Sequence, residues 1–482
     1  MASQEMALPD MALHEMDATT IATGVREGEL KAIEVLEHHL ERIDRFNPAL
    51  NAFVYLDPDR AMAAATDIDR RVASGEDPGP LAGVPLGIKE LESVEGWPET
   101  HASTAYKDCI ATTTTTMSSR LLAAGAVPVG QTASPEVGRL FYTTSVLHGP
   151  THNPWDLTKA PGGSSGGSGA ALSAGLVPLA TGSDMGGSIR LPAGWCGVVG
   201  VKGTYGRVPR SPGYLGHANM VHYGPLARSV RDCARFLDIA VGVDQRDPYS
   251  LPPPTVPYER QIADPLPEGL RVAVVDDLGM APSDPEVAAA LHNAAAVLID
   301  ACGMQQSDAT LTFPNLVTVG AAVLYADADP EGAQHAGTIL MNLMNTPGAA
   351  PLMELAFTDP DLTLEGVAKT NQMRHHIDMQ LAELFDEVDI LLVPASPVPA
   401  FGVEGPIPTV VAGKDIGPAA PALFTAPFNL SGNPVTCVPM GLVDGVPVGM
   451  QIIARRHEDG LALQVAARYE EARPWQLLAT GY

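Results

Sequence analysis

The sequence predicts an α/β protein built on a mixed β-sheet. Short apolar runs of strand length recur along the chain, and segments with a helical apolar period stand between them. Gly 47 and Pro 43 in 482 residues exceed the usual share and supply many turns. Hydrophobic residues at 45% against charged residues at 18% exclude a disordered or fibrous chain. The length allows about three ordinary domains or one large core with insertions. The Pro-rich piece at 247–257 reads as a surface connection, so 1–482 is taken as a single domain.

From the N-terminus, Ile33, Leu36, Leu40 and Ile43 recur at +3, +4 and +3, which predicts an amphipathic helix over 17–47, ending at Asn47-Pro48. A second helix is expected over 58–72, so residues 1–75 form an N-terminal helical part. LGIKE (86–90) is an apolar strand ending in a lysine, and 117–131 pairs a helix with a strand. Short β-type runs follow at 176–181 and 196–201. After the Pro-rich connection, LRVAVVDD (270–277) is a strand entering a helix, 310–386 is a Met- and Ala-rich helical layer over the sheet, and DILLVP (389–394) is a buried strand.

The formal charge of −27 would repel nucleic acid and an anionic membrane across most of the surface. Five cysteines lie far apart without CxxC spacing and read as reduced thiols of a cytoplasmic protein. The N-terminus has no basic region followed by an apolar run, and no apolar stretch free of Pro and Gly is long enough to span a membrane. The adjacent pairs His38-His39 and His375-His376 sit in helical stretches, where neighbours diverge by about 100°, and read as surface residues rather than metal ligands.

Chemistry concentrates in the 27 positions from Gly162 to Ser188, which hold nine Gly and six Ser. A linker does not fit, because the Gly/Ser pieces flank core-forming sequence. Glycines this dense indicate backbone packed against itself or a ligand, with N–H groups free to meet an anion or oxyanion. No Lys follows them, which excludes a Walker loop. Gly163-Ser164-Ser165-Gly166-Gly167 satisfies G-x-S-x-G, yet the strand that a nucleophile elbow needs does not precede it, since NPWDLTKAP carries two prolines.

The block from Gly162 to Ser168, followed by Gly182 to Ala193, resembles the signature of the amidase signature family. The likeness extends to GVPLGIKE (83–90), HGPTHNPWD (148–156), GPLARSVRD (224–232) and 424–454, the last resembling the family's closing strands, so it covers nearly the whole chain. It implies a large mixed central sheet covered by helices on both faces, with 76–245 as the signature core and 310–386 on the substrate side. It also implies Ser188 as nucleophile, Ser164 as bridging serine, Lys89 as base, and a cis peptide between Gly163 and Ser164. Ser165, Asp184 and Arg190 become supporting residues, the last two as an ion pair stiffening the loop and Ser165 as a hydrogen-bonding neighbour of Lys89.

The residue types suit that chemistry. A serine hydroxyl needs a base to become nucleophilic, and Ser-Lys arrangements are one attested solution. Lys89 must then be neutral at rest, which its place at the end of an apolar strand favours. The oxyanion would lie against backbone N–H groups of Met185, Gly186, Gly187 and Ser188, each donor worth about 3–4 kcal/mol. Tyr142, Arg207, Met220 and Tyr223, with Phe141, Tyr205, Met341 and Met344, are candidate pocket residues, mostly apolar or aromatic, and favour a hydrophobic amide or carbamate. No cofactor or metal is required, and a monomer or homodimer is expected. The alternatives are a component of a glutamine amidotransferase, against which Met185 speaks by replacing the family's usual Thr, and a non-catalytic amidase-like binding protein.

Overall fold

The computed structural model describes residues 11–212, 220–313, 335–358 and 364–482. Its centre is an eleven-stranded sheet. From edge to edge the strands are Phe53–Leu56, Val127–Thr132, Pro85–Lys89, Leu179–Asp184, His222–Ala227, Val199–Lys202, Val435–Val443, Val446–Ile453, Ile390–Pro394, Arg271–Val274 and Gln305–Gln306. Pro85–Lys89 runs parallel to both its neighbours, Leu179–Asp184 is antiparallel to His222–Ala227, and parallel pairing returns between Ile390–Pro394 and Arg271–Val274. The sheet is therefore mixed, as expected. Its central strands are buried along their whole length; PLGIK is apolar up to its final lysine, whereas LATGSD and HYGPLA bury polar residues as well.

Local signals explain most boundaries. Asp57 caps the helix Pro58–Ser74, its side chain accepting the Arg60 N–H, with Pro58 at the first position and Gly75 closing the end at φ 76°. Ser229 likewise caps Val230–Ala240, the helix start expected from GPLARSVRD.

Other expectations need correction. The predicted helix over 17–47 is two helices, Ala18–Glu27 and Ala32–Leu50, because Gly28 turns left-handed and its N–H bonds back to Gly24 and Val25. Pro48 does not end the second one. It sits on an exposed turn, and the chain stops only at Asn51, whose N–H reaches the Asn47 carbonyl at 2.7 Å. An edge strand, Phe53–Leu56, follows within what was read as purely helical sequence. The β-type run expected at 176–181 is the strand Leu179–Asp184, buried between two strands and preceded by the helix Gly166–Ser173. In 424–454 the two strands are preceded by a short helix, Ala426–Ser431. Of the layer at 310–386, residues 314–334 and 359–363 lie outside the described residues, and the rest carries the helices Ala336–Asn345, Ala350–Thr358 and Leu364–Glu387. His39 is no surface residue: it is fully buried, with Nδ1 3.1 Å from the Leu176 carbonyl. His375 and His376 are exposed. No described helix is long and apolar enough to cross a membrane.

Candidate active site

Three stretches meet at the C-terminal end of the buried strand Pro85–Lys89. The strand delivers Lys89 with 0% exposure. Its amine sits among hydroxyls: Nζ lies 2.7 Å from Ser164 Oγ, 2.8 Å from Ser165 Oγ and 3.0 Å from Ser183 Oγ, with the Ser183 carbonyl at 3.3 Å. No carboxylate is bonded to it. Burial therefore dominates and draws the lysine's pKa down, against the opposing pull of Glu92, Asp184 and Glu90.

The Gly162–Ser168 turn brings both serines to that amine. The peptide between Gly163 and Ser164 is cis. Glycine is required at 163, where a Cβ would come within 2.6 Å of the Tyr142 nitrogen and 2.7 Å of the Leu140 carbonyl oxygen. Thr143 ties the turn down, donating to the Gly162 carbonyl at 2.8 Å and accepting the Gly166 N–H at 3.2 Å. Ser165 Oγ is also 3.3 Å from the Ser183 carbonyl, to which it donates, so Ser164 is the hydroxyl best placed to hand its own proton to a neutral Lys89.

The second signature piece follows the strand Leu179–Asp184. Ser188 is partly exposed, and its carbonyl accepts the Ser165 N–H at 3.1 Å, which joins the two loops. Asp184 and Arg190 form the expected pair, bidentate at 2.9 Å through both Nε and Nη2, with both side chains fully buried. Although burial favours its neutral form, Asp184 is held far below the usual carboxylate range by Arg190 and Asn429. The same carboxylate accepts the Gly187 N–H at 2.7 Å and the Ile189 N–H at 3.1 Å. This corrects one expectation: the Gly187 N–H is already spent on Asp184 and is not available to an oxyanion, which leaves Met185, Gly186 and Ser188 as candidate donors.

Arg190 also donates to the Thr425 carbonyl and the Gln451 side chain, and Asn429 donates to Asp184 Oδ1 at 2.9 Å. The Thr425 hydroxyl donates to the Gly186 carbonyl. Sequence reasoning missed Thr425 and Asn429, although FTAPFNLSGNP lies inside the recognised stretch, because more than 230 residues separate them from the loop they brace. It also missed the polar cradle of Glu90, whose carboxylate takes His148 Nε2 at 2.8 Å, the Thr100 hydroxyl at 2.7 Å and the Ala102 N–H at 3.0 Å. Against burial, those partners hold Glu90 below its ordinary range.

The candidate pocket residues lie in different settings. Tyr142 is fully buried and donates its hydroxyl to the Pro347 carbonyl. Arg207 is tied into the fold by Asp459, with Nη2 at 3.1 Å, and by the Pro252 carbonyl. Met220 is buried, its carbonyl accepting from His222 Nδ1 and Asn429. Tyr223 faces the interior at 1% exposure. Phe141 is partly exposed, Tyr205 packs between His222 and Tyr249, and Met341 and Met344 are exposed. Apolar or aromatic character alone marked these positions, and it serves core packing as well as substrate binding. Among the described residues no cluster of side chains could hold a metal ion.

A family model described as Amidase matches residues 34–463. The chain is 35% identical over 472 residues to an acylamidase of Rhodococcus erythropolis, covering 97% of this chain and 98% of the relative. It is 31% identical over 487 residues to a glutamyl-tRNA(Gln) amidotransferase component of Methylococcus capsulatus, covering 96% and 98%. The fold matches that of a bacterial aryl acylamidase of the amidase signature family with a TM-score of 0.88 at 29% identity, over 96% of this chain and 97% of that one.

Proposed function

This chain belongs to the amidase signature family and hydrolyses amide C–N bonds; on that premise we propose that Lys89, Ser164 and Ser188 carry the reaction and that its substrates are hydrophobic amides, with aryl amides foremost. The observation that carries the catalytic part is Lys89 itself, a buried amine whose side-chain partners are serine hydroxyls. Ser164 gives its proton to Lys89 Nζ while taking that of Ser188, and the Ser188 oxygen forms its bond to the substrate carbonyl carbon. The oxyanion is met by N–H groups of Met185, Gly186 and Ser188. As the C–N bond breaks, the proton on Lys89 returns through Ser164 to the leaving amine. Water then attacks the acyl-Ser188 by the same relay and releases the acid.

The aryl acylamidase among the structural relatives supports the substrate class. Esters and carbamates with an aryl leaving group fall within the same chemistry. The chain works alone, as a monomer or homodimer, and five unpaired cysteines suit a cytoplasmic setting.

A serine-directed fluorophosphonate and a panel of aryl amides, aliphatic amides, esters, carbamates and glutamine, given to the purified chain, test this reading. Labelling and anilide hydrolysis should both vanish in Ser188→Ala. Labelling that survives in Ser188→Ala and disappears in Ser165→Ala would make Ser165 the nucleophile, and inertness of the chain until a partner protein is added would favour the amidotransferase reading.

A further inference from the structure

Three carboxyl groups act on the Lys89 amine. On its own segment stand Glu90 and Glu92, and from the adjacent strand comes Asp184, while Tyr223, on the strand beyond and paired in register with Ser183, is a neighbour of Glu92. Two of the three carboxylates are already spoken for, Glu90 by His148 and Asp184 by Arg190.

Glu92 is different. It is fully buried, and neither carboxyl oxygen has a hydrogen-bond partner. The Thr181 hydroxyl, which accepts the Lys89 main-chain N–H at 2.9 Å, is the hydroxyl that opposes the effect of burial on Glu92. The Tyr223 hydroxyl is buried and without a partner as well. A turn fixes the spacing: the Glu92 N–H donates to the Lys89 carbonyl at 2.8 Å. Burying a carboxyl without a cation or donor is costly, and such a group persists where something nearby repays it. Here the neighbour without a carboxylate of its own is Lys89.

We propose that Glu92 is a positioning residue for the base, whose carboxylate stabilises the ammonium that forms on Lys89 when it accepts the serine proton. It acts on the lysine through space, without bonding to it and without touching substrate. A negative charge in this buried neighbourhood strengthens the base and also delays the appearance of the neutral amine as pH rises. Burial pushes the pKa of Glu92 up, against the Thr181 hydroxyl and the Lys89 charge, so its own charge state stays responsive to that of the lysine. The assignment rests on Lys89 being the base.

The test compares pH profiles of kcat/KM for an anilide in the wild type, Glu92→Gln and Glu92→Met, each checked for folding by thermal unfolding. Both variants remove the charge, and Glu92→Met also removes the unpaired polar atoms, so one folded variant suffices. The rising limb should move to lower pH by roughly one unit, the lower end of what a nearby opposite charge imposes. The plateau kcat should fall several-fold as the base weakens, with KM unchanged. A limb that coincides with the wild type in a folded variant overturns the proposal while leaving Lys89 as base. Near-normal turnover in Lys89→Met overturns both.

Discussion

Two buried basic side chains stand within the proposed catalytic region and meet opposite fates. Arg190 is clamped by a bidentate carboxylate, two side-chain amide oxygens and one main-chain carbonyl, so its charge is fully answered. Lys89 is as deeply buried, yet the side chains bonded to its amine are hydroxyls. An ionised group taken out of water must be paired or must shift its proton equilibrium. The arginine is paired and builds scaffold; the lysine shifts and becomes able to accept a proton. What separates structure from chemistry here is the identity of the bonded partners, since depth of burial is the same for both.

The sharpest way to break that contrast is to place a permanent charge in the hydroxyl cage. Lys89→Arg should lower kcat/KM by about 10⁴-fold or more, as loss of a triad base does, because guanidinium does not deprotonate. Turnover near normal in an anilide assay would remove Lys89 from the mechanism. On the other side of the contrast, Arg190→Met strands the Asp184 carboxylate in the interior and should cost about 3–5 kcal/mol in denaturant unfolding. A loss below about 1 kcal/mol would mean that the loop does not depend on the pair.

The pH dependence sharpens the same difference. The amine of Lys89 is drawn down to about 7 from an ordinary value of 10.5, with burial as the first cause. Below about 7 it is protonated and cannot act as base, so kcat/KM should rise as pH passes through that region and then level off. Asp184, held far below the usual carboxylate range, stays ionised throughout and adds no second limb there. A profile flat from pH 5 to 10 contradicts this. The smallest effect concerns the brace between the two regions: Thr425→Val removes the hydroxyl donated to the Gly186 carbonyl. It should reduce kcat by several-fold, about 1 kcal/mol, with the unfolding midpoint nearly unchanged; a kcat equal to wild type would show that the loop around Gly186 holds its shape without it.

Much of this was legible in the residues themselves. LGIKE ends its strand at Lys89 because an apolar run can only be buried, and the Gly/Ser density of 162–188 announces backbone packed too closely for side chains. Both are local properties of composition, and the Asp184–Arg190 pair spans only six residues. The tertiary structure alone decided which side chains answer which charge. Thr425 and Asn429 reach the loop from more than 230 positions away, and Glu90 finds His148 across 58. The same limit applies to the substrate pocket: Tyr142, Met220 and Tyr223 carry the chemical character of a binding surface, but apolar character does not say whether a residue faces a cavity or the core. Glu92 reads in sequence as one more acid in a chain with an excess of them. Only the fold, by burying it beside Lys89 and giving its oxygens no partner, makes its charge matter.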